Sequence, residues 1–165
     1  MNIKTGLILF FLSLPVLIFS QTAADMETIL TAEKVNAAKA ARFILGAADL
    51  LQSGLSGAAA ERAAYDMASS KGWVKIKADQ NVNQKDTAFL IMKAFDIKGG
   101  IMYSLFKNPR YAYREMVYHS LIPGRTDQAL EVSGPRLLLI LDKTMSFTGE
   151  YAGTGSRSST PAERW

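Results

Sequence analysis

The sequence contains no cysteine and a single histidine, His119, among 165 residues. Without cysteine there is no disulfide framework and no thiolate-ligated zinc or iron–sulfur centre. With one histidine, a multi-histidine metal site or a paired-histidine mechanism is excluded within one chain. No Gly-x-Ser-x-Gly elbow and no phosphate-binding Gly-Lys-Ser/Thr occurs. Lysine and arginine are nowhere dense enough for nucleic acid, and the formal charge is only +4. What is present is apolar: 48% of residues are hydrophobic, which excludes wholesale disorder and leaves core burial as the source of stability.

The first segment reads as a secretory signal peptide over residues 1–20. Lys4 supplies an early positive charge, an apolar run follows from Leu7 to Phe19, and Ser20 or Ala24 offers a small residue for cleavage. The run is about 13 residues, short of the roughly 20 that span a bilayer. No other stretch is apolar enough to do so. The expected product is exported, periplasmic or extracellular and associated with the cell envelope. With no cysteine at the junction, it is not a lipoprotein.

Beyond the leader the periodicity is helical, predicting an all-α domain of five or six helices over 21–145. One long Ala-rich helix is expected over 25–52, with Asp25 as N-cap. A second runs from a Ser56 cap to about Ser70 and ends at Gly72. Asn83 with Asp86 three residues later resembles a capping box that opens a helix through Phe95. Ile101–Lys107 is a short helix, and Asn108-Pro109 starts another that reaches about His119. Ser133 caps a final helix in which Leu137–Leu141, apolar at every position, should be buried on all sides. The Gly-, Ser- and Thr-bearing residues 146–165 read as a flexible, disordered tail.

Two stretches share a layout, about 57–95 and 109–145. A Tyr-containing helix, with Tyr65 or Tyr113, leads to an apolar pair, Trp73-Val74 or Leu121-Ile122. Then follow Asp79-Gln80 or Asp127-Gln128, a valine, Val82 or Val132, and a capped apolar helix. Two such helix–loop–helix units should stack around one core made of Tyr65, Trp73, Phe89, Met92, Phe95, Tyr113, Leu121 and Leu137–Leu141.

This order resembles the S-layer homology module, whose second helix opens on a Thr-Arg-Ala-Glu-like tetrapeptide. The matching residues here are Asn83-Gln84-Lys85-Asp86 and Ser133-Gly134-Pro135-Arg136. A capping residue stands in both and an acid in the first, while the family's arginine is absent from both. The resemblance covers about half of the chain and implies a stacked helical scaffold that binds cell-wall polysaccharide. Phe89–Tyr118 also looks like exported spirochaete proteins of uncharacterised function, a likeness that implies no mechanism.

The strongest candidate site is the helix from Pro109 to His119. At 100° per residue Arg110, Tyr111, Arg114 and Tyr118 fall within about one quadrant. Guanidinium forks hold carboxylates or phosphates, and phenol rings stack on sugars or on arginine. Arg125 in the following loop extends the set. Glu115 and His119 lie one turn apart, which reads as a surface ion pair in the absence of any third catalytic partner. Asp79-x-Asn81-x-Asn83 starts like a calcium loop, but Gln84 replaces its glycine and Leu90 its bidentate glutamate, so it reads as a polar turn capped by Asn83. No metal site, cofactor or catalytic group is expected. The expected function is a non-enzymatic interaction module that binds cell-wall polysaccharide, peptidoglycan or an envelope protein through the basic–aromatic face. The alternative is a small carrier of apolar ligands such as lipid.

Overall fold

The structure is a computed structural model that describes residues 24–155, excepting Ser53, Arg125 and Thr126, with side chains described through Gly149. The expected signal peptide, Arg125 and residues 156–165 lie outside the described residues. Those described form seven helices and no strand. They are α1 (24–30), α2 (Ala37–Ala47), α3 (Gly57–Ser70), α4 (Gln84–Ala94), α5 (Ile101–Phe106), α6 (Pro109–Tyr118) and α7 (Gly134–Gly155).

The main departure from expectation is at the start. The chain expected to form one helix over 25–52 is broken between α1 and α2. Val35 there does what Val82 and Val132 do, so the valine-led helix start expected twice occurs three times. The three valines close a ring of backbone hydrogen bonds. Val82 N–H donates to Val35 O at 2.9 Å, Val132 N–H to Val82 O at 3.0 Å, and Val35 N–H to Val132 O at 3.0 Å. A continuous helix through Val35 would use these groups internally and leave the ring open.

A second tier explains why a helix begins after each valine. The first N–H groups of a helix have no partner within it. Here each helix start takes its acceptor from a neighbouring unit: Ala37 N–H donates to Gln80 O, Gln84 N–H to Leu130 O, and Gly134 N–H to Ala32 O, at 2.8–3.0 Å. Side chains add local caps. Asn36 Oδ1 accepts from Lys39 N–H, and Asn83 Oδ1 from Asp86 N–H. Gly134 is required by proximity, since a Cβ on it would lie 1.6 Å from the Ile29 carbonyl oxygen. Above the ring, Lys34, Asn81 and Glu131 each precede a valine. Glu131 pairs with Lys34 at 2.6 Å and accepts from Asn81 Nδ2 at 3.0 Å. The lysine holds the Glu131 carboxyl below its usual range, and Asn81 adds to that.

Below the ring the core repeats in register. Ala40, Thr87 and Leu137 are buried at equivalent positions, and Ile44, Ile91 and Leu141 are buried one turn further on. Gln84, also buried, accepts from Arg136 Nη2 at 3.1 Å and ties α4 to α7. Around this centre α3 lies on α2 through Ala60, Ala64 and Ala68, small residues that let the two backbones approach. Ala112 and Met116 bury the inner face of α6, which packs on α4. Phe89, Met92 and Leu121 join the core as expected, while Tyr65, Trp73, Phe95 and Tyr113 pack against it half-buried.

Two further expectations change in α7. Leu139 is exposed, because only part of a helix can face a core and Leu137, Ile140 and Leu141 take that part. The helix also continues through Gly155, well into the segment expected to be a tail. Its apolar stripe carries on through buried Thr144 to Phe147, which packs against the core.

Candidate functional site

The candidate face is built on α6, and its start is locally determined. Asn108 Oδ1 accepts from Tyr111 N–H at 3.1 Å, and Pro109 occupies the first turn, where its missing N–H costs nothing. With Ala112 and Met116 turned inward, Arg110, Arg114 and Tyr118 form an i, i+4, i+8 stripe on the outside. All three are exposed, Tyr118 at 81%.

Tyr111, expected on the same face, is placed differently. It lies half-buried beside the stripe, its ring stacked on Phe106 with centroids 5.5 Å apart and planes 26° from parallel. Its role is to seat α5 against α6. The structure therefore brings three of the five expected residues together, turns one toward its neighbour helix, and does not describe Arg125.

Glu115 and His119 share a backbone bond, His119 N–H to Glu115 O at 2.9 Å, and their side chains diverge. The Glu115 carboxylate approaches Gly100, where a Cβ would lie 3.0 Å from Oε1. The His119 ring meets Tyr118 edge-on at 5.2 Å and Phe147 at 5.0 Å. The expected ion pair is not formed. Asn83 caps α4, as its reading as a polar turn requires. Asp86 is half-buried on the first turn of α4, and burial pushes its carboxyl above the usual range. Among the described residues no three His, Cys, Asp or Glu side chains gather into a metal site.

Two hollows flank the segment that joins α4 to α5. One, of about 300 Å³, is walled by Phe95, His119 and Phe147 with Lys98 at its edge. The other, of about 330 Å³, gathers Lys93, Lys98 and Lys107 around Tyr103. The Tyr103 hydroxyl is pushed up to about 12, chiefly by burial and further by the charge of Asp96. A shallower groove of about 520 Å³ runs between α1, α2 and α7, past the paired Asp25 and Arg42. The first hollow was missed in the sequence because its third wall, Phe147, belongs to the supposed tail. The signal was present as the spacing Ile140, Thr144, Phe147, which continues the inner stripe of α7.

Chemically, the α6 stripe presents two guanidinium groups and a phenol ring to solvent. Neither Arg110 nor Arg114 makes an ion pair with a described residue. From Ile97 to Arg114 the chain carries four cations, Lys98, Lys107, Arg110 and Arg114, and no acid. No helix among the described residues is long and apolar enough to cross a membrane. No known protein family, curated protein or solved structure matches the chain.

Proposed function

We propose that the protein is an exported, non-enzymatic binding module of the cell envelope that holds an anionic partner on the α6 stripe. The observation that carries this reading is the exposed row of Arg110, Arg114 and Tyr118, whose cations have no acid partner among the described residues. Arginine forks take carboxylates and phosphates bidentately, and a neighbouring phenol supplies a stacking surface for a sugar ring. The signal-peptide-like leader and the resemblance to the S-layer homology module make cell-wall polymer the first partner to test, and an acidic envelope protein the second.

The test is co-sedimentation of the purified protein with isolated sacculi across a salt series. Saturable binding that weakens with salt is expected, and Arg110→Ala with Arg114→Ala should reduce it on the order of tenfold while leaving the far-UV circular dichroism unchanged. Absence of binding at low salt would discard the wall polymer. Cross-linking in intact envelopes would then test the protein partner. The groove of about 520 Å³ beside Phe43 and Met145 favours a second reading, an apolar-ligand carrier. Extraction of the purified protein with organic solvent, followed by mass spectrometry, would then release a stoichiometric lipid.

A further inference from the structure

Helix α5 inverts the usual arrangement of a surface helix. Its one buried side chain is Tyr103. Gly99 lies so close to that residue that a Cβ there would meet the ring at 2.7 Å, which leaves glycine as the residue that lets the chain pass. At 100° per residue Ile101 and Leu105 lie opposite Tyr103, about 160° from it, while Met102 lies about 100° and Phe106 about 60° to one side. All four are exposed, Ile101 at 85% and Leu105 at 70%. Tyr103 below and the Phe106–Tyr111 stack at one end hold this apolar ridge outward.

We propose that α5 is a membrane-docking ridge, which places these four side chains in the surface of an anionic lipid bilayer. Lys98, Lys107, Arg110 and Arg114 would then sit at the level of the headgroups. Charge is the first argument for this occupant. From Asp96 to Glu115 these four cations outnumber the two acids, which stand only at the ends of that segment. An anionic surface complements it.

Side-chain chemistry is the second argument. The ridge side chains carry no N–H or O–H donor, and the residue that flanks them, lysine, is depleted at the centres of protein interfaces. Lysine stands close to both ends of α5, at Lys98 and Lys107. Its long stem can lie along the acyl boundary while the ammonium reaches phosphate. A second copy docked ridge to ridge is disfavoured as the occupant, because it would set four cations against four. Docking of this kind is peripheral and asks nothing of the α6 stripe beyond its charge. Sacculus binding and bilayer binding can therefore succeed or fail separately.

Flotation of the protein with phosphatidylglycerol–phosphatidylcholine vesicles tests the idea, using the form of the chain that the cell accumulates. The protein should float with anionic vesicles, weakly with pure phosphatidylcholine, and less as salt rises. Ile101→Ser with Leu105→Ser should lower partitioning about tenfold or more. Leu139→Ser, which removes an exposed leucine from α7, should leave it unchanged. Thermal unfolding of each variant checks the fold. If the double variant misfolds, Lys98→Glu with Lys107→Glu asks the same question through charge and should also lower flotation. Equal flotation of the parent and these variants would overturn the proposal. So would failure of the parent to float, or a concentration-dependent dimer that Ile101→Ser with Leu105→Ser abolishes.

Discussion

Val35 and Ile101 are both β-branched, both apolar and both at the start of a helix, yet one is wholly buried and the other is 85% exposed. The difference lies in what their backbones do. Val35 shares a closed cycle of hydrogen bonds with Val82 and Val132, and each following helix draws its first acceptor from a neighbouring unit. Ile101 opens a helix whose one buried side chain is Tyr103, with no cycle to enter. Apolar character by itself did not decide which residue became core. Closure did, and it left the ridge of α5 outside.

The closed cycle is most severely disrupted at Gly134. A Cβ there would occupy the space of the Ile29 carbonyl oxygen, so the first unit must part from α7. Gly134→Ala should cost about 3 kcal/mol or more in urea unfolding, through overpacking against backbone that cannot yield. One substitution made in both places separates the core from the ridge. Ile91→Ala below the ring should cost about 2–5 kcal/mol, through lost burial and the cavity left behind. Ile101→Ala on the ridge should stay within about 0.5 kcal/mol of the parent, since nothing buried is removed.

Loss of a cap is smaller. Asn83→Ala removes the acceptor for Asp86 N–H and should cost about 1 kcal/mol in the same assay. The smallest effect concerns pH. Burial raises the Asp86 carboxyl above its usual value in the folded state, so the native protein binds that proton more tightly than the unfolded chain. This residue therefore stabilises less as pH rises through the window from its ordinary value to its raised one. Asp86→Asn should flatten that slope and raise the melting temperature slightly at neutral pH. A melting series from pH 3 to pH 7 would show it.

Much of the scaffold was legible in the sequence because local chemistry and tertiary role agree there. Asn83 and Asn108 cap the helices that their spacing announces, and Val82 and Val132 mark two units by their shared context. Val35-Asn36 carries the same signal but sits inside an Ala-rich stretch. Helix propensity and apolar periodicity both run through it, and only the partner valines show why the helix must break. The extension of α7 was hidden in the same way, since Gly, Ser and Thr masked a stripe that continues to Phe147. On the site, the spacing of Arg110, Arg114 and Tyr118 gave the outer stripe directly. The fate of Tyr111 depended on where α5 packs, and the exposure of α5 depended on a closed core elsewhere. Neither can be read from a segment by itself.

Three units close into one cooperative ring from which α5 is excluded. Amide hydrogen exchange, followed residue by residue by NMR, tests it most directly. The Val35, Val82 and Val132 amides should exchange at one common slow rate, set by global unfolding, while the amides of Ile101–Phe106 should exchange far faster. A Val35 amide that exchanges early while Val82 and Val132 stay protected would contradict it, because the ring would then be open in the native state.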